Sequence, residues 1–257
     1  MYQAKVLRPQ LLQRCIVMLN RHVNHANLYF DTEGLKVMSM NSNQTALMVI
    51  KLPMRMIKAS KNYCVGVYVP SLLKITQMIK PTESIQFEID DKATQQIRIT
   101  FEKQNESYKY FEFKTVELQT PCVIPAEVTF EHTVKIPAND LLKMCKLSQQ
   151  LNKQQEREHA NAFHASKCVD IEYHENQLRL IIQSMYGRGM TTLIRPRMNK
   201  TYLNNKYSIN NLIVVLEEQN YENIILSWAG ETMLRLEYIF DALSCIRYYV
   251  APQVIVE

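Results

Sequence analysis

The chain has 257 residues, enough for two ordinary domains with separate cores, and its 47% hydrophobic and 21% charged content excludes a disordered or fibrous polypeptide. Its five glycines are too few for a protein built around phosphate-cradling loops. A net charge of +5 identifies a nucleic-acid partner only if the positive side chains are clustered, so their placement decides the question.

The chain opens with a β-rich stretch, a proline and a leucine-led helical segment, Val6-Leu7-Arg8-Pro9-Gln10-Leu11-Leu12. The pattern returns at Val67-Tyr68-Val69-Pro70-Ser71-Leu72-Leu73, at Val134-Lys135-Ile136-Pro137 leading to Leu141-Leu142, and in degenerate form at Tyr207-Ser208-Ile209-Asn210-Asn211-Leu212. These copies begin at residues 6, 67, 134 and 207 and divide the chain into quarters, each read as one helix plus several strands. Proline suits a helix start because its fixed φ fits the first turn and its missing N–H would have no partner there.

Alternating apolar and β-branched residues predict strands at 28–30, 35–40, 46–52, 85–89, 96–101, 108–113, 169–173, 178–183, 224–228 and 233–240. Asp31-Thr32-Glu33-Gly34 is a hairpin turn with glycine at its end. Gly187-Arg188-Gly189 also reads as a hairpin turn, with an anion-binding nest as the alternative. The fold class is α+β, dominated by antiparallel hairpins. Two prolines within five residues, Pro121 and Pro125, mark an extended linker over 118–129 between domains 1–117 and 130–257. The polar run 149–160 is a helical extension or a solvated loop.

Three of the four helices separate an apolar stripe from a basic face. In the first, Leu11, Cys15, Leu19 and Val23 (or Leu12 and Ile16) face the core, with Gln10, Arg14 and Arg21 opposite. In the second, Leu72, Ile75 and Ile79 face inward, with Lys74, Gln77 and Lys80 opposite. In the third, Leu141, Met144 and Cys145 oppose Asn139, Lys143, Lys146 and Gln150. Equivalent repeats present equivalent faces to a common surface. Lysine and arginine without interleaved aromatics suit phosphate contact along a duplex. The fourth helix departs, with Glu217 and Glu218 at its end.

Enzyme chemistry has no positive support. Walker, G-x-G-x-x-G, H-E-x-x-H and G-x-S-x-G motifs are all missing from the sequence. His159 and His164 are five apart, off a shared helix face, so neither a metal nor another cofactor is expected. The six cysteines include no C-x-x-C pair and read as reduced core thiols of an intracellular protein. The first ten residues lack a secretory apolar core, and no run reaches membrane-spanning length.

Over nearly its full length the chain resembles the proliferating cell nuclear antigen family of DNA sliding clamps. The resemblance rests on Tyr248-Tyr249-Val250-Ala251-Pro252, Leu35-Lys36-Val37-Met38-Ser39-Met40-Asn41-Ser42 and Ile124-Pro125, supported by Phe111-Glu112-Phe113-Lys114 and Leu236-Glu237-Tyr238. It implies the DNA-clamp fold, with two similar domains of antiparallel sheet and two helices each, joined as a homotrimeric ring with helices lining the hole. Arg14, Lys74, Lys143 and Lys146 match DNA-facing positions, while Arg21 and Lys80 join them by helical phase alone.

The resemblance also implies a front-face pocket for short peptide motifs of polymerase, ligase and nuclease clients, carried by Met40, Gln44, Leu47, Val123, Ile124, Met233, Tyr249, Ala251 and Pro252. For Met40 and Leu47 a plain strand-core role is the alternative. By the same matching, the strand around Phe111 joins the strand carrying Met190 and Leu193 of the next subunit. Further implications are a clamp loader as partner, sequence-independent binding of double-stranded DNA, and residence in the nucleus or at a viral replication site. Glu217 and Glu218, Gln44 in place of the family's histidine, and the apolar tail after Pro252 depart from the family pattern. A subunit of a heterotrimeric checkpoint-type clamp and a clamp-derived scaffold that never encircles DNA are the competing expectations.

Overall fold

A computed structural model describes residues 1–80, 82–91, 95–103, 109–118, 128–130, 132–158, 167–174, 177–184, 187–194, 203–217, 223–228 and 233–253. The chain forms two compact units, one comprising Met1–Ile124 with Ile239–Arg247, the other Pro125–Tyr238 with Tyr248–Glu257. Residues 119–127 of the expected linker lie outside the described residues. The second unit is not continuous, because the chain returns to the first unit over Ile239–Arg247.

Unit 1 runs β1 (Tyr2–Val6), α1 (Pro9–His22), β2 (His25–Phe30), β3 (Gly34–Met40), β4 (Ala46–Ala59), β5 (Tyr63–Tyr68), α2 (Val69–Gln77), β6 (Ser84–Ile89), β7 (Gln96–Glu102) and β8 (Lys109–Lys114). Antiparallel pairing orders one set of strands β8-β7-β6-β1-β4 and joins β4 to β3, β3 to β2, and β2 to β5. Strand β4 is 14 residues long because it serves two partners in turn, β3 up to Pro53 and β1 from Met54. Pro53 stands at the changeover, where a missing N–H costs least. Opposite it, Gly34 has φ +141°, and a Cβ there would lie 2.3 Å from the Leu52 carbonyl oxygen, so the close approach requires glycine.

Unit 2 repeats the order: β9 (His132–Pro137), α3 (Ala138–Glu158), β10 (Cys168–His174), β11 (Gln177–Ser184), β12 (Gly187–Ile194), β13 (Leu203–Ser208), α4 (Ile209–Leu216), β14 (Asn223–Trp228), β15 (Leu234–Ile239) and β16 (Cys245–Val250), the last divided between the units. The pairing repeats as well. β9–β14, β14–β15, β10–β11, β11–β12 and β10–β13 correspond to β1–β6, β6–β7, β2–β3, β3–β4 and β2–β5. Each unit is therefore a strand, a helix, four strands, a helix and three strands, and the four repeated segments of the sequence, three of them with proline, are the strand-to-helix junctions, two in each unit.

The cores follow from the alternation. Tyr2, Phe30 and Phe87 are buried in unit 1, with ring centroids 5.3 and 5.5 Å apart, and Tyr173 and Trp228 are buried in unit 2 at 5.4 Å. Helix α1 packs on α2, and α3 packs on α4 and over β10 and β11. Cys15, Cys145, Cys168 and Cys245 are buried thiols, whereas Cys64 is exposed and Cys122 lies outside the described residues.

Three local expectations change. Helix α1 ends at His22, leaving Val23 extended, and it also buries Leu12, Ile16 and Met18, so its apolar face is wider than one stripe. Helix α2 ends at Gln77, which removes Ile79 and Lys80 from it; Thr76 is buried instead, donating to the Leu73 carbonyl at 3.0 Å. The polar run after 149 continues α3 as far as Glu158, which resolves that segment as helix.

Candidate nucleic-acid and partner interface

Helices α1 and α2, PQLLQRCIVMLNRH and VPSLLKITQ, contain no acidic residue. Arg21 and Lys74 are exposed and Arg14 is half-buried. Lys74 also sits in the last turn of α2, where a cation complements the partial negative charge of the helix end. Lys80 is exposed but stands in the turn after α2, where its backbone N–H donates to the Glu83 carboxylate at 3.0 Å. Its place on a helical face is therefore corrected, because the helix that would have carried it stops three residues earlier.

In unit 2, Lys143 and Lys146 are exposed one turn apart on α3, over buried Leu141, Met144 and Cys145. Lys146 Nζ lies 3.5 Å from the carboxylate of Glu217. Gln149 donates a second cross-helix hydrogen bond to Asn210 Oδ1 at 3.2 Å. Lys143 and Lys146 are thus unequal: among the described residues, an acid at the end of the neighbouring helix pairs with Lys146 and none pairs with Lys143. Glu218 lies outside the described residues.

The residues expected to take partner peptides fall in both units. In unit 1, Met40 and Leu47 face each other across the end of the β3–β4 pair. Met40 is 40% exposed, while Leu47 is 3% exposed and belongs to the strand core. Gln44 is exposed and holds φ +56°, a left-handed conformation uncommon for a residue with a side chain. The loop that imposes it is pinned by Asn41, whose Oδ1 accepts from the backbone N–H groups of Thr45 (2.8 Å) and Ala46 (3.0 Å). The Asn41 amide also donates to Thr45 Oγ1 at 3.1 Å, and the Gln44 N–H donates to the Asn41 carbonyl at 3.0 Å. Beside this loop, His22 Nε2 donates to the Ser39 carbonyl at 2.8 Å, and burial holds the imidazole below its usual range despite that bond.

In unit 2, Met233, Tyr249 and Pro252 are half-buried and Ala251 is exposed. The Tyr249 ring lies 6.2 Å from Phe130, and the Arg235 guanidinium covers the Phe130 ring at 4.3 Å. Arg235 reaches Ser227 Oγ at 3.1 Å and the buried carboxylate of Glu237 at 3.5 Å. The segment beyond Pro252 is tied down where the Gln253 N–H donates to the Lys206 carbonyl at 2.8 Å. Phe130 and Arg235 were missed in the sequence, since a lone aromatic after a linker and an arginine within a strand carry no periodic signal. Val123 and Ile124 lie outside the described residues.

The two strands expected to join subunits are both edges, β8 ending one strand order and β12 ending the four-stranded sheet. Phe111 of β8 is half-buried against Phe101 at 5.7 Å. On β12, Met190 is 57% exposed and Leu193 is half-buried. A separate cleft of about 300 Å³ in unit 1, lined by Leu7, Leu11, Leu52, Pro53 and Leu243 with the Arg8–Asp241 ion pair (2.9 Å) at its rim, shares no residue with these surfaces.

Residues 1–121 match the family model for the N-terminal domain of proliferating cell nuclear antigen. The chain is also similar to the proliferating cell nuclear antigen of Chaetomium thermophilum, 18% identical over 271 aligned positions that cover 99% of this chain and 98% of that protein. The duplicated order of strands and helices extends beyond the residues that the family model matches. These two likenesses support a divergent clamp of the proliferating cell nuclear antigen type. Clamps of that type are non-enzymatic scaffold proteins, and the likeness supports a protein of the same kind here.

Proposed function

We propose that this clamp closes as a homotrimer around duplex DNA, serves as a processivity factor in the nucleus or at a viral replication site, and holds polymerase, ligase and nuclease clients by short peptide motifs. The observation that carries the reading is the duplicated unit, in which three of the four helices, α1, α2 and α3, bear exposed Lys or Arg over a buried apolar face. Ring closure would pair edge strand β8 with edge strand β12 of a neighbouring copy, covering backbone groups and the exposed Met190. Arg14, Arg21, Lys74, Lys143 and Lys146 would meet phosphate oxygens without reading bases, which lets the ring slide while screened charges keep it centred. Lys80 is omitted from that set because it lies off the helix.

Clients would be taken by Met40 and Gln44 at the β3–β4 end, with Leu47 beneath as support, and by Val123, Ile124, Met233, Tyr249, Ala251 and Pro252. The exposed methionine and the backbone-pinned loop give a peptide an apolar contact and a fixed polar rim. A scaffold that never encircles DNA is the competing reading, favoured by the Glu217–Lys146 pair.

End-blocking separates the two. A linear duplex with open ends should thread the ring, and bulky blocks added afterwards should trap it through a high-salt wash. Blocks added beforehand should prevent capture. Retention that ignores the order of blocking would rule out encirclement and leave the scaffold.

A further inference from the structure

We infer that Glu217 competes with DNA phosphate for Lys146, so that Lys143 and Lys146, neighbours on one helix, contribute unequally to duplex binding. The inference rests on the DNA-facing reading of α3 proposed above. Glu217 is the C-terminal cap of α4, its N–H bonded to the Ile213 carbonyl at 3.1 Å, and α4 has no basic residue in its last turn. A carboxylate there meets the partial negative end of its own helix, which is an unfavourable site for an acid. Across the helix pair, Lys146 Nζ stands 3.5 Å away and offsets that repulsion. Lys143, one turn earlier, has no ion-pair partner among the described residues, and neither has Lys74 of the equivalent region in unit 1.

A phosphate approaching Lys146 also approaches Glu217, whose repulsion at similar range cancels much of the attraction. The pair already balances its own charge, so binding there displaces few condensed counterions, whereas a lone lysine displaces nearly one. The side chains are 46% and 35% exposed, so the pair is screened and exchangeable, and the effect is a graded attenuation. Divergence at this one position would make the clamp's grip lopsided, with unit 1 and Lys143 carrying most of it and the ring retaining weaker, faster-exchanging contact at Lys146 of α3.

The test is fluorescence anisotropy of the full-length protein on a labelled open-ended duplex between 50 and 200 mM salt. Lys143→Ala should flatten the log–log salt dependence by roughly 0.9, equivalent to about threefold in affinity across that range. Lys146→Ala should change it by much less. Glu217→Gln should steepen it by roughly the same 0.9, and adding Lys146→Ala to Glu217→Gln should remove the gain. Equal losses at the two lysines, or an unmoved Glu217→Gln, would overturn the inference while leaving the DNA reading intact. An unchanged slope in Lys74→Ala, Lys143→Ala and Lys146→Ala alike would overturn the DNA reading beneath it.

Discussion

Asn41 holds a loop that its own backbone could not hold. Its side chain satisfies the N–H groups of Thr45 and Ala46 and thereby keeps Gln44 at φ +56°. Asn41→Ala should lower stability by about 1 kcal/mol and loosen the loop, whereas Asn41→Asp should retain most of it, because a carboxylate accepts the same two hydrogen bonds. Urea denaturation of the two variants checks this, and equal losses would show that Oδ1 is not the anchor. His22 makes a pH prediction. Burial favours its neutral form in the fold, so the unfolded chain protonates first, and the stability tied to neutral His22 is lost as pH falls through the unfolded value of about 6.5. His22→Gln should therefore show a shallower decline in urea midpoint below that pH, and an unchanged decline would assign the titration elsewhere. At this scale the sequence was only partly legible. Met40 and Leu47 are both apolar members of alternating strands, and nothing in their types distinguishes the exposed one from the buried one. The left-handed turn at Gln44 is set by a side chain three positions earlier, and the ring contact of Phe130 with Arg235 joins residues far apart in the chain.

Elements were read more reliably, because periodicity reports burial directly. The strands 28–30, 35–40 and 85–89 fall within β2, β3 and β6, and the helix starts stand where proline or its substitute suits the first turn. The misreadings occur where tertiary pairing overrides local pattern. Strand β4 continues through Pro53 because the chain changes partners there, and α2 stops at Gln77 although Ile79 and Lys80 continue a helical spacing. Glu83, buried and held by the Lys80 N–H, secures the turn that ends it. Another contact invisible in the sequence is the bond from the Val116 N–H to the Gly66 carbonyl at 2.8 Å, which lays the segment following β8 on β5. A Cβ at Gly66 would lie 2.0 Å from the Val116 carbonyl oxygen. Gly66→Ala should thus cost at least about 2 kcal/mol, through displacement of that segment. A urea midpoint equal to the parent's would mean that the segment does not rest there in solution.

The duplication governs the whole molecule. Its signature was legible because the strand-to-helix junction needs particular residues, and those recur near each quarter boundary even where the rest has diverged. What diverged is charge: α1 and α2 carry no acid in their spans, while Glu217 opposes Lys146 in the second unit. Lys74→Glu should consequently weaken duplex binding more than Lys146→Glu does, and comparable losses in anisotropy would contradict that asymmetry. Everything proposed for DNA depends first on whether copies of the chain close on one another through their edge strands. Light scattering of the purified protein across a dilution series measures this directly. The account predicts a mass of three chains of 30.1 kDa, falling only at high dilution; a monomer at every concentration would contradict a self-closing ring and direct attention to partner subunits of a heterotrimer.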